Sequence, residues 1–78
     1  MIESEPHHHE SISETHRQFG LRVKELRRER GMTQESLAEK IGVDRSYMGF
    51  VERGERNVTL DKIEWISRAF GISLRDLF

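Results

Sequence analysis

The chain has no cysteine, a single proline and few aromatic residues. Without cysteine there is no disulfide framework and no thiolate-based zinc site, and a reducing compartment suits it. No apolar run approaches the ~20 residues needed to span a bilayer. The N-terminus has neither the basic start nor the apolar stretch of a secretory leader, so the sequence reads as cytoplasmic, with no membrane partner. No strand alternation, internal repeat or low-complexity tract is visible. Enzyme signatures are missing too: no cysteine nucleophile, no Gly-rich phosphate loop, no paired-carboxylate cleft and no well-placed histidine. With 78 residues the chain is one small domain at most. A domain of this size buries only about 60% of its unfolded surface, so a partner subunit would add stability.

What charge there is comes nearly balanced, 13 basic against 14 acidic residues. The total argues against a nucleic-acid partner, but the distribution does not. Residues 1–16 hold Glu3, Glu5, Glu10 and Glu14 and no Lys or Arg, so all 13 basic residues face the other 10 acids in residues 17–78. The body is mildly basic, and a local basic face would matter more than either sum. Residues 1–10, MIESEPHHHE, read as a disordered acidic and histidine-rich arm, and 11–78 as the folded domain. His7, His8 and His9, with His16, raise the idea of a metal site. Structural zinc sites usually add cysteine and no fixed helix holds the run, so a tail or cloning remnant is preferred; neither metal nor cofactor is expected.

Helical spacing organises the rest. Ser11 followed by Glu14 forms a capping-box pattern. Ile12, Phe19, Val23 and Leu26 then share one stripe, with Gly20 as a weak point inside it. Gly31 ends this helix after Arg27, Arg28 and Arg30, cations suited to a helix C-terminus. Thr33 caps a second helix whose apolar side is Leu37, Ala38 and Ile41, and Gly42 stops it as a left-handed residue. Asp44 caps a third helix with Met48 and Val51 inward, ended by Gly54. Thr59 caps a fourth with Leu60, Ile63, Ile66 and Phe70 as its stripe, ended by Gly71. Ser73 with Asp76 starts a last short turn. Five helices with short connections predict a compact all-α domain.

The stretch TQESLAEKIGVDRSYMGFVERG, Thr33 to Gly54, resembles the helix-turn-helix of the phage-repressor and Cro-like (Xre) family. Gln34 opens the motif. Leu37 and Ile41 fill its first core positions, Ala38 its small crossing residue, Gly42 its turn, and Val43, Met48 and Val51 its later core positions. The likeness covers residues from about 17 to 78. It implies a repressor-like five-helix fold with the motif at helices two and three, the third helix entering the major groove of double-stranded DNA. On that helix Met48, Val51, Asp44 and Glu52 fall on the inward half, and Ser46, Gly49, Phe50 and Arg53 on the other, flanked by Arg45 and Tyr47. Arg45 is then expected at a guanine edge, Ser46 at a base or phosphate, Gly49 where close approach is needed, and Phe50 at a thymine methyl. Thr33 and Gln34 would meet a phosphate. The plainer alternatives are a solvated Arg45 beside a cap, a Tyr47 that only packs, and a Phe50 that is a lone exposed hydrophobe or a subunit contact.

The run DRSYMGFVERGERNVTL is similar to the controller proteins of restriction–modification systems. That likeness adds Tyr47, Arg56 and Asn57 to the DNA-contacting set and implies small dimeric regulators. The wider family also implies an ion pair between a base late in the first helix and an acid late in the third, here Arg27 and Glu52. Trp65, Ala69, Ile72, Leu74, Leu77 and Phe78 supply more apolar surface than so small a core needs, so they are assigned to a homodimer interface; the alternative is that they close the domain's own core, with Trp65 on the tail. A two-fold dimer would set two recognition helices roughly 34 Å apart over a palindromic operator. The expected protein is thus a sequence-specific DNA-binding transcription regulator and not an enzyme; an activator would need RNA polymerase as a further partner. The alternative is an antitoxin-like or other protein-binding module that binds DNA for autoregulation, with Met1–His16 as its partner-binding segment.

Overall fold

The structure, a computed structural model, describes residues 13–78. The arm and the expected roles of Ser11 and Ile12 lie outside the described residues. Five helices follow in order: α1 Glu14–Glu29, α2 Gln34–Ile41, α3 Arg45–Glu52, α4 Leu60–Phe70 and α5 Leu74–Leu77. The described residues form no strand.

The helix starts follow from local chemistry. Ser13 stands at the α1 N-cap, and its hydroxyl accepts from the His16 N–H. In the reciprocal bond the Ser13 N–H donates to the His16 ring, so a histidine takes the place that glutamate holds in the usual capping box. Thr33 and Ser36 form a second reciprocal box at α2. Thr59 and Ser73 accept from Lys62 N–H and Asp76 N–H at 3.3 and 3.2 Å. Asp44 occupies the α3 N-cap in extended backbone but makes no side-chain cap bond, and it is exposed, not inward. Between α2 and α3, Gly42 takes φ 76°, a left-handed turn that would strain any residue bearing a Cβ.

Phe19, Val23, Leu26, Leu37, Ala38, Ile41, Met48, Val51, Ile66, Phe70 and Leu77 form the core. Two assignments are corrected here. Leu60 is 80% exposed; it opens α4, where the stripe has not yet turned toward the core. Leu77 is fully buried; it fills this domain's own interior and has no surface to offer a second subunit.

α1 is bound to each of the other four helices or to the segment just before it. Its Arg22 donates to the Asp76 carbonyl at 2.9 Å. Arg30 donates to the Phe70 carbonyl at 3.1 Å and stands over the Phe70 ring. Arg27 Nε and Nη2 donate to the two Glu52 oxygens at 2.6 and 3.0 Å, with both side chains nearly out of solvent. Arg27 Nη1 reaches the Met32 carbonyl at 2.7 Å, just before α2. The close passage of α1 over α3 explains Gly20. A Cβ at that position would lie 2.6 Å from the Glu52 carbonyl oxygen and nearer still to that of Val51. Both are backbone atoms and cannot swing away.

Gly20→Ala is therefore expected to destabilise the domain by about 1–3 kcal/mol, despite alanine's better helix propensity; urea unfolding measures it, and a neutral or stabilising result would contradict the crossing. Glu52→Ala strands a buried guanidinium and should cost about 3–5 kcal/mol, a large part of the ~5–15 kcal/mol that holds a small domain. A loss below about 1 kcal/mol in the same assay would show that the pair is relaxed by solvent.

Candidate nucleic-acid interface

The outer side of α3 is set by what its inner side must do. Met48 and Val51 are fully buried, and at 100° per residue that rotation turns Ser46 and Arg53 outward. Both are exposed, as is Arg45 at the first turn. Tyr47 and Phe50 are half-buried at the edge. Arg56 and Asn57 follow in the α3–α4 loop and are exposed. Gly54 lets that loop close: it takes φ 75°, and a Cβ there would lie 2.7 Å from the Arg17 Cα. The loop is thereby pressed on the first turn of α1.

Several expected contacts are arranged differently in the structure. Gly49 is buried, not open. The Arg53 and Gln34 side chains lie over it, 3.2 and 3.8 Å from where its Cβ would be. Those are the ends of movable side chains, so the glycine is covered by the very groups expected at the DNA. The Thr33 hydroxyl accepts from Ser36 N–H, and the Thr33 N–H donates to the Ser36 hydroxyl, both at 3.0 Å. Its polar groups are thus engaged in the cap. Gln34 Nε2 donates to Glu52 Oε1 at 3.0 Å, and Gln34 Oε1 is 3.5 Å from Arg45 Nη1. Gln34 therefore bridges the buried ion pair and the exposed Arg45.

Two participants left no signal in the motif. His16, on α1, has its Nε2 3.0 Å from the Asn57 Oδ1. Its Nδ1 receives the Ser13 N–H at 3.3 Å, which places the ring proton on Nε2 and makes Asn57 Oδ1 the acceptor. The Asn57 amide keeps its two N–H donors for another partner. Lys62, on α4, stands 5.6 Å from the Tyr47 ring centroid and 5.9 Å from that of Trp65. Helix periodicity cannot join residues 41 positions apart, as His16 and Asn57 are. Burial pushes the Tyr47 phenol pKa up, and the Arg56 cation offsets part of that. At neutral pH the hydroxyl keeps its proton and can donate it.

Between its caps α3 exposes no acid, although the N-cap Asp44 is exposed. Its acid, Glu52, is buried and takes donors from Arg27 and Gln34, while Arg45 and Arg53 are outside. Short polar and guanidinium groups on a free helix side suit base edges and phosphates in a major groove.

The residues assigned to a subunit contact do not gather at one place. Trp65 is 42% exposed and lines a shallow depression with Ala69, Arg68, Lys40 and Ile41. Phe78 packs instead on Phe19, with ring centroids 5.4 Å apart, beside Gln18 and Arg22 of α1. Ile72 is packed against the core, Leu74 is half exposed at the start of α5, and Leu77 lies inside.

The sequence matches the Helix-turn-helix family (HTH_3) over residues 23–77. It is 46% identical to control protein C.MunI of a Mycoplasma species over 61 residues, 77% of this chain and 82% of that protein. It is 45% identical to control protein C.BamHI of Bacillus amyloliquefaciens over 60 residues, 76% of this chain and 74% of that one. The crystal structure of the restriction-modification controller protein C.AhdI from Aeromonas hydrophila is similar with a TM-score of 0.82 at 47% identity, covering 85% of this chain and 100% of that chain. The controller protein C.Esp1396I, solved as a tetramer with its natural 35 base-pair operator, is similar with a TM-score of 0.77 at 36% identity, covering 85% of this chain and 87% of that chain. The shared motif, the matching five-helix fold and these identities agree: the chain belongs to the helix-turn-helix family of repressor-like transcription regulators, with restriction–modification controller proteins among its relatives.

Proposed function

We propose that the protein is a sequence-specific regulator that binds double-stranded DNA as a homodimer on a palindromic operator, in the manner of the restriction–modification controllers it resembles. One observation carries this reading: α3 buries its apolar side and its acid, and leaves Arg45, Ser46 and Arg53 outside, with Arg56 and Asn57 beside them. Arg45 reads a base edge, and Ser46 a base or phosphate. Tyr47, Arg56 and Asn57 reach the backbone. The role is binding, carried out in the cytoplasm, with no chemistry on a substrate. RNA polymerase would join only if the protein activates. The relation of C.Esp1396I to its operator, solved as a tetramer on DNA, supports an assembly of subunits along one duplex.

For the dimer, Trp65 and Ala69 on α4 are the best-placed candidates, since they are accessible and adjacent in one depression. Leu74 and Phe78, 45% and 71% exposed, offer further apolar surface in and after α5.

Selection from a random duplex pool should enrich a two-fold symmetric sequence; a pool that stays unenriched would overturn the reading. On the enriched duplex, Arg45→Ala should cost about 1–3 kcal/mol and relax the preference at one position of each half-site. Equal weakening on all sequences would instead make Arg45 a phosphate contact. Affinity should fall steeply with salt as counterions are released. Trp65→Glu should shift the protein toward monomer in equilibrium sedimentation without lowering helix content, and an unchanged dimer would move the interface off α4.

A further inference from the structure

The side chains around α3 form a row in which cations and aromatic rings alternate. Arg53 stands over the Phe50 ring at 5.1 Å, and Arg56 over the same ring at 4.9 Å. Arg56 also reaches the Tyr47 ring at 5.9 Å. Lys62 continues the row, 5.6 Å from Tyr47 and 5.9 Å from Trp65. All five separations lie within the roughly 6 Å range of cation–π attraction. Arg53 is held from its other end by Glu55, with Nε 3.1 Å from Oε1.

We propose that Phe50 and Tyr47 are positioning residues of the DNA surface: their rings hold the guanidinium groups of Arg53 and Arg56 in place before the duplex arrives. This rests on the DNA-binding reading above, and it replaces the thymine-methyl role expected for Phe50. Two guanidinium groups already lie 5.1 and 4.9 Å from that ring's centroid and would compete with a methyl group for it. The benefit is entropic. Arginine has many rotamers, and ordering such side chains at an interface is a main cost of association. A half-buried ring fixed by the α3 backbone removes part of that cost beforehand. Stacking uses the flat faces of the guanidinium and leaves its in-plane N–H groups able to donate to phosphate oxygens.

The test combines the free protein with its complex on a duplex enriched from a random pool. In the free protein, the side-chain protons of Arg53 and Arg56 should show upfield ring-current shifts in the NMR spectrum. Phe50→Leu should abolish these, and Phe50→Tyr should keep them. In anisotropy titrations, Phe50→Leu should weaken binding about fivefold to tenfold, and Phe50→Tyr should restore most of it. Phe50→Leu combined with Arg56→Gln should lose less than the product of the two separate losses. Replacing thymine by deoxyuridine in the duplex should cost wild type and Phe50→Leu equally. Absent ring-current shifts, independent losses in the cycle, or a thymine-methyl effect that vanishes with Phe50→Leu would each overturn the proposal. Should Phe50→Leu fail to fold, Phe50→Tyr and Arg56→Gln still decide through the shifts and the affinity. A protein with the shifts intact that binds no enriched duplex would sink the DNA reading and this role with it. Lost shifts with binding intact would sink the role alone.

Discussion

The Glu52 carboxylate is the point on which the rest of the domain turns. It lies inside the protein and receives three N–H donors, two from Arg27 on α1 and one from Gln34 on α2. A buried carboxylate is costly unless such partners satisfy it. Here the partners come from two other helices, so satisfying the charge also fixes the angle at which α3 leaves the core. Gly20 makes the arrangement possible, because only a residue without a side chain allows α1 to pass so near the α3 carbonyls. Arg45 is tied to the same network through Gln34. A guanidinium expected to face bases is thus connected, by two hydrogen bonds, to the most deeply held charge in the domain.

Much of this was legible in the amino-acid order, and the exceptions have physical causes. Phe19, Val23 and Leu26 recur at helical spacing because α1 buries one continuous side. Thr33, Thr59 and Ser73 mark helix starts because their hydroxyls satisfy orphan N–H groups there. Gly42 marks the turn because its backbone needs a positive φ. Leu60 misled because an apolar residue at the first position of a helix can precede the point where the helix meets the core. Leu77 misled because surplus apolar residues at a chain end look alike whether they fill an interior or face a neighbour. Gly20 looked like a weakness of α1, since propensity considers one helix at a time. Its value appears only when a second helix is placed beside it.

The exposure of the candidate surface was legible in outline, and its wiring less so. The outward turn of Ser46 and Arg53 follows from rotation alone. The partners of Gln34, Asn57 and Phe50 do not, because they depend on side-chain ends meeting across different helices. His16 reaches Asn57 from α1, and Lys62 reaches Tyr47 from α4, with no local pattern to announce either. Even the overall charge was a poor guide. The acids of the first 16 residues mask a mildly basic body whose third helix buries its own acid, Glu52.

The separation between the two sides of α3 bears on how such a protein diverges. Met48, Val51 and Glu52 hold the helix, while Arg45, Ser46 and Arg53 face solvent. Mutations at the solvent-facing set meet little steric or desolvation penalty, so under the proposed DNA reading a lineage can drift to a new address on the genome while its scaffold is inherited unchanged. Gln34 is the exception: touching both Glu52 and Arg45, it is where retargeting and architectural integrity would be traded against each other.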